Sequence, residues 1–289
     1  MENKKKVGFV GAGYMGSGMV KNLLKDFDVS IIAHKNRKPI DELKKIGAKE
    51  VNTYEDLCSL NLDCLILCVS NTPVAISIAK TLTNKLSNKT LIIDTTTHNE
   101  TGSIDMLKIF NENNISFVES PVMGGPLQAE EGILGAIVGA DNENFNKASM
   151  YLQSFCKTIF HFGEVGKGSK AKLISNFLAL GTTTFVIEAI KAAKRNNIDL
   201  DKFCEVAKLG SGNSGALARI ADKAIRGDYK GYIFSVDNTI KDLTYINDLL
   251  KDMPNAEKLS SLTKSFYENA SDNGMGNLLI SELIEKDKN

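Results

Sequence analysis

Lys172 and Asn176 stand four residues apart within residues 166–196, a stretch that is otherwise largely apolar. Four residues is about one helical turn, so the amine and the amide share a face. An amine on such a helix is either a lysine snorkelling to solvent or a titratable group kept from bulk water, where burial can bring its pKa toward neutrality. A second constellation opens the chain: Gly11-Ala12-Gly13-Tyr14-Met15-Gly16 follows the short apolar run Val7-Gly8-Phe9-Val10. In G-x-G-x-x-G the first glycine makes a tight turn, the second lets backbone approach a pyrophosphate, and the third lets a helix pack on the sheet. The helix N-terminus then offers N–H groups and the positive end of its dipole to phosphate. Past the next strand comes His34-Lys35-Asn36-Arg37. An NAD site normally places an acid about 20 residues past the fingerprint, on the ribose hydroxyls. This chain has none there, and Lys35 and Arg37 flank Asn36 with donors suited to a 2'-phosphate. The expected cofactor is therefore NADP (NADPH) rather than NAD, the alternative being a solvated basic loop.

Polar residues collect again after two later apolar runs, as Val69-Ser70-Asn71 and as Thr95-Thr96-Thr97. Strand ends of this kind are where open α/β sheets bind ligands, although one of the threonines is expected to cap the following helix. Ser120-Pro121-Val122-Met123-Gly124-Gly125-Pro126 is a rigid loop whose backbone N–H groups could hold a carboxylate, or a plain turn. Lys241-Asp242, taken alone, reads as a charged pair on a solvent face. The histidines are scattered at His34, His98 and His161, which does not suggest a metal site; His98 and His161 read as surface or lightly packed residues.

The elements that must position these groups follow from periodicity. Apolar strands are expected at residues 7–10, 29–33, 64–68, 91–94, 116–119, 134–138 and 158–162, with helical segments such as 17–26, 41–46 and 74–86 between the earlier ones. This alternation predicts an α/β domain of Rossmann type with a mostly parallel, doubly wound sheet over residues 1–165. Residues 166–196 predict one helix roughly 45 Å long, apolar round most of its circumference and buried against more than one neighbour. Helices at 200–209, 214–226, 235–250 and 256–270 then make residues 166–289 an interdomain helix and an all-helical substrate and oligomerisation domain.

Composition narrows the class. With 289 residues, 43% hydrophobic, and 35 basic against 35 acidic side chains, the chain has no electrostatic footprint for nucleic acid or a membrane surface. No apolar run approaches ~18 residues free of charge, so no bilayer span is expected. Five cysteines without a C-x-x-C pair suit reduced thiols in a cytoplasm.

In order and spacing, Gly11-x-Gly-x-x-Gly16, Asp94-x-Thr-Thr97, Pro121-Val-x-Gly-Gly125, Gly166-x-Gly-x-x-x-Lys172-x-x-x-Asn176 and Lys241-Asp242-Leu243 resemble the β-hydroxyacid dehydrogenases, which include 3-hydroxyisobutyrate dehydrogenases and glyoxylate and succinic semialdehyde reductases. The resemblance covers essentially the whole chain. It implies hydride transfer between NADP and a small carboxylate-bearing 3-hydroxy acid or semialdehyde, with Lys172 as catalytic acid and base, Asn176 beside it, and a homodimer or homotetramer. It further implies that Thr96, Met123, Gly124, Gly125 and Lys241 meet substrate. Gly11 to Gly16, His34, Lys35, Asn36, Arg37, Val69, Ser70, Asn71, Thr97 and Lys241 would meet cofactor. Met123 stands where many members carry serine, which removes one hydroxyl from the carboxylate loop. Lys35 and Asn36 fall where NADP-preferring members carry an Arg-Thr pair. A 6-phosphogluconate dehydrogenase shares the lysine-asparagine spacing but has a larger helical half, and imine reductases usually lack the lysine. A non-catalytic NADP-binding module would need the fingerprint but no titratable amine.

Overall fold

The computed structural model describes residues 4–32 and 36–286, and the chain divides into two compact units, Met1–Lys172 and Leu173–Asn289. In the first unit, strands β1 (Lys6–Val10), β2 (Asp28–Ile32), β3 (Lys49–Val51), β4 (Cys64–Leu67), β5 (Leu91–Asp94) and β6 (Phe117–Glu119) form a parallel sheet in the order β3-β2-β1-β4-β5-β6. Between them run α1 (Tyr14–Leu23), α2 (Arg37–Lys45), α3 (Tyr54–Ser59), α4 (Thr72–Leu82) and α5 (Gly102–Asn111). Period-two alternation sorts side chains to two cores. Val7, Phe9, Cys64 and Ile66 pack with Met19 and Val20 of α1, while Val10, Leu65 and Leu67 pack with Ala75 and Ile78 of α4. A doubly wound sheet needs such fully apolar strands because both faces are covered.

The expected single run of strands is corrected at its far end. The short β7 (Val122–Met123), β8 (Leu134–Val138) and β9 (Cys156–His161) form a separate three-stranded sheet, antiparallel between β7 and β8 and parallel between β8 and β9. A bridge between Glu119 and Gly139 joins its margin to β6. Pro121 lies between β6 and β7; lacking an N–H it cannot extend a central ladder, and the chain changes sheet there. α6 (Pro126–Glu131) and α7 (Asn142–Leu152) complete this unit. β3 was not anticipated, since Lys49, Glu50 and Val51 carry no apolar alternation.

α8 (Lys167–Arg195) is one 29-residue helix that leaves the first unit at Lys172. By length and composition alone it is apolar enough to cross a membrane, a test that the core helix of a soluble protein also passes. The composition has a second use: Leu173, Leu180, Val186, Ile187 and Ile190 form one wall of the second unit's core. The expectation of burial on most sides is also corrected, because Ile174, Leu178 and Phe185 are 55%, 72% and 74% exposed. Around α8 the second unit places α9 (Leu200–Leu209), α10 (Gly215–Ala224), α11 (Val236–Leu250) and α12 (Pro254–Ala270). Side chains of Asp199, Ser214 and Ser235 cap the first three of these by accepting from backbone N–H groups, and Pro254 occupies the first turn of α12.

The turn between β1 and α1 has a geometry that depends on two of its glycines. Gly11 has φ +100°, and a Cβ there would lie 2.0 Å from the Cys68 carbonyl oxygen; at Gly16 it would lie 2.1 Å from the Gly11 carbonyl oxygen. Gly13 has φ −84°, and a Cβ there would meet nothing within 4 Å. Gly11→Ala should therefore destabilise the first unit by at least about 1 kcal/mol, while Gly13→Ala should melt within about 1 °C of wild type. Thermal denaturation of the two variants side by side checks this; equal melting temperatures would contradict the geometry.

Candidate active site

In the first unit the fingerprint residues lie where a dinucleotide would meet them. Gly13 caps α1 without a side-chain bond, so the helix N-terminus is built from backbone alone, and Gly13 itself borders open space. Tyr14 is 87% exposed, Met15 is half-buried and Ala12 is buried. The three glycine roles of a pyrophosphate-binding turn are thus present: a turn at Gly11, an open approach at Gly13 and close packing at Gly16. These residues fit a dinucleotide.

The neighbouring strand ends are tied to one another. Thr96 donates its backbone N–H to Asp94 Oδ1 (2.9 Å), and its Oγ1 accepts from the Val69 N–H (3.2 Å). Thr95 Oγ1 donates to the Leu67 carbonyl (2.7 Å), and Asn71 caps α4 by accepting from Val74 N (3.0 Å). None of the three threonines caps α5; Asn99 Oδ1 accepts from Gly102 N instead, which corrects the expected cap. Thr97 is half-buried and Ser70 exposed. His98 is not a surface residue: it is fully buried, with Nε2 2.8 Å from Asp94 Oδ2 and Nδ1 3.2 Å from Thr72 Oγ1. It braces the turn that carries Thr96 and Thr97. His161 is exposed, stacks on Phe145 and bonds the Ala140 carbonyl.

Of the basic cluster, His34 and Lys35 lie outside the described residues; Asn36 is exposed and precedes α2. Arg37 bonds carboxylates at both ends of its fork, Asp41 one turn on and Glu50 of β3, and Lys44 also reaches Glu50. The two cations hold the Glu50 carboxyl down at about 2, and the carboxylates raise the guanidinium above its ordinary value. In this structure Arg37 is thus turned to protein carboxylates.

Lys172 is 9% exposed. Its Nζ donates to the Val122 carbonyl (2.8 Å) and lies 3.3 Å from Met123 Sδ, so the thioether stands directly on the amine. Along the same loop Gly124 is exposed at φ +121°, and the Gly125 N–H is given to Gln128 Oε1 (2.9 Å). The loop therefore brings a buried amine, a polarisable sulfur and an exposed glycine backbone together within the unit that carries the nucleotide turn.

In the second unit Asn176 Nδ2 donates to Asp242 Oδ2 (2.7 Å), and Lys241 Nζ lies 2.9 Å from Asp242 Oδ1 and 5.5 Å from the Tyr245 ring. Asp242 is 2% exposed, which overturns the solvent-face reading of the Lys241-Asp242 pair. Sequence reasoning did not include Asp242 among the site residues. The signal was available: Thr239, Asp242, Leu243 and Ile246 recur at helical spacing along the buried face of α11. Asp242 links two of the expected site residues, the amide of Asn176 and the amine of Lys241.

Comparison with known proteins agrees with this geometry. The NAD binding domain of 6-phosphogluconate dehydrogenase matches residues 6–163, and the NAD-binding domain of NADP-dependent 3-hydroxyisobutyrate dehydrogenase matches residues 166–286. The chain is 26% identical to 2-(hydroxymethyl)glutarate dehydrogenase of Eubacterium barkeri, covering 99% of this chain and 95% of that one. It is 28% identical to mitochondrial 3-hydroxyisobutyrate dehydrogenase of Drosophila melanogaster, covering 98% and 90%. A structure of Mycobacterium tuberculosis 3-hydroxyisobutyrate dehydrogenase with L-serine superposes with a TM-score of 0.86 at 21% identity, over 99% of this chain and 100% of that chain. A glycine turn built for a dinucleotide, a buried lysine in the same unit and two family matches in tandem place this chain in the β-hydroxyacid dehydrogenase family of NAD(P)-dependent oxidoreductases.

Proposed function

We propose that this chain interconverts a small 3-hydroxy acid and its semialdehyde or keto form with NADP, using Lys172 as acid and base. The observation that carries the reading is the Lys172 amine, 9% exposed and bonded to the Val122 carbonyl, in the unit that bears the open glycine turn. A bound nicotinamide supplies or accepts hydride. Lys172 gives a proton to the substrate oxygen as that oxygen gains charge, and the neutral amine takes it back in the reverse direction. Exclusion of water around Nζ makes both states accessible, since burial disfavours the ammonium relative to bulk solvent. Gly124 presents loop backbone to the substrate carboxylate, and Met123 covers the amine with an apolar wall where a serine would offer a hydroxyl. Thr96 turns its hydroxyl proton to a substrate oxygen. Asn176, aligned by Asp242, holds the reacting oxygen in line, and Lys241 attracts the anionic substrate and cofactor. Lys35 and Asn36, with Arg37 once it leaves its carboxylates, read the 2'-phosphate; the NADP-dependent description of the second family match supports that choice. The free thiols of Cys58, Cys64, Cys68, Cys156 and Cys204 suit a reducing compartment such as the cytoplasm. A second copy of this chain covers the exposed stripe of Ile174, Leu178 and Phe185, which lie four and seven residues apart on one face of α8.

Lys172→Ala should lower kcat by about 100-fold to 10,000-fold on the responsive substrate of a panel of semialdehydes, glyoxylate and hydroxy acids, while NADPH binding by fluorescence stays within about twofold. Unimpaired turnover would remove the assigned acid. Steady-state kinetics with both cofactors should give the higher kcat/KM with NADPH; a preference for NADH would show that the basic cluster does not read phosphate. Light scattering should find wild type as a dimer or tetramer and the Leu178→Glu/Phe185→Glu double variant as a smaller species. A monomeric wild type would refute the assembly.

A further inference from the structure

Glu119, at the end of β6, is fully buried, and charged side chains that deep in a protein need strong partners. Its donors are the first residues of α8 and the turn before it. Oε1 accepts from Gly166 N (2.6 Å) and Gly168 N (2.8 Å), and Oε2 accepts from Ser169 Oγ (2.6 Å), which itself lies 2.5 Å from Ser103 Oγ. The carboxylate thus occupies the place where a helix leaves N–H groups without intrahelical partners and where its dipole favours negative charge. The seat is closed on its other sides. A Cβ at Gly139 would lie 2.0 Å from Glu119 Oε1, and one at Gly168 would lie 2.9 Å from both Gly139 N and the Ile137 carbonyl oxygen. Backbone bonds of 3.2 and 3.0 Å between Glu119 and Gly139 fix the strand that carries the carboxylate.

Three residues further on, the same segment touches α8 again, at the bond from Lys172 Nζ to the Val122 carbonyl. Residues 119–122, stiffened by Pro121, therefore clip the first two turns of α8 at two points. One is a buried carboxylate on the helix start and the other a carbonyl on the amine. Gly168 and Lys172 are one turn apart, so a tilt of that first turn moves the amine with it. Displacement of a reacting group by about 1 Å can cost on the order of 100-fold in rate.

We propose that Glu119 is a positioning residue for Lys172: its carboxylate holds the start of α8 where the amine can meet the substrate oxygen. The inference rests on Lys172 being the acid and base, and a double-mutant cycle separates the two. Glu119→Gln keeps the shape but removes the charge that binds Gly166, Gly168 and Ser169. It should lower kcat about tenfold or more while KM for NADPH stays within about twofold. In the Lys172→Ala background the same substitution should cause no further loss, because there is no amine left to place. A folded Glu119→Gln enzyme with kcat within twofold of wild type would overturn the proposal, and so would an equal loss in both backgrounds. If Glu119→Gln fails to fold, Ser169→Ala, which removes the donor to Oε2 alone, must give threefold or more of the same kcat loss without a KM change; an unaltered kcat in that variant counts against the proposal. Full turnover in Lys172→Ala alone would instead indict the acid assignment.

Discussion

The bond from the buried Lys172 amine to the Val122 carbonyl is the contact around which the start of α8 is arranged. The bond from Lys172 to Val122 draws on three levels of structure at once: α8 for the amine, β7 for the carbonyl, and the junction of two sheets for the position of β7. A charged amine loses several kcal/mol of hydration when buried, and a neutral carbonyl restores only part of it.

Much of this was legible in the sequence because the relevant signals are local. The glycine fingerprint needs only its spacing and its place between a strand and a helix, and the structure assigns its glycines the turn, approach and packing roles that the motif requires. The long helix announced itself by 29 residues without proline, and the caps at Asp199, Ser214 and Ser235 marked the helices that follow. The sheet division was less legible, since β7 is two residues long and β3 is polar. Strands that short draw their stability from neighbours distant in sequence, so periodicity does not mark them.

The misreadings of polar residues share a physical cause: each concerns a side chain paired within the protein to a partner that composition does not reveal. His98 looked like a surface residue because its partners, Asp94 and Thr72, come from the ends of different strands and helices. Asp242 looked solvated because Lys241 precedes it, although its helical register places it on the buried face. Arg37 looked available to a phosphate, yet Glu50 and Asp41 are within its reach. In each case the side chain's chemistry was read correctly and its partner was not, because the partner is set by how the elements pack.

That asymmetry bears on how the cofactor phosphate would be read. Arg37 and Lys44 share Glu50, whose carboxyl these two cations hold down at about 2. A 2'-phosphate would have to compete with a preformed carboxylate pair. Its advantages are a charge of about −1.5 to −2 and three acceptor oxygens against the two of a carboxylate. Arg37 is 46% exposed and Glu50 13%, so it is the guanidinium side of the pair that faces water. A guanidinium already lined up by Asp41 and Glu50 also loses less side-chain freedom on turning to a phosphate than one disordered in solvent would. The acids of α2 and β3 would then act as a holding position for the cation, which would reconcile an Arg37 paired within the protein with the proposed reading of a 2'-phosphate.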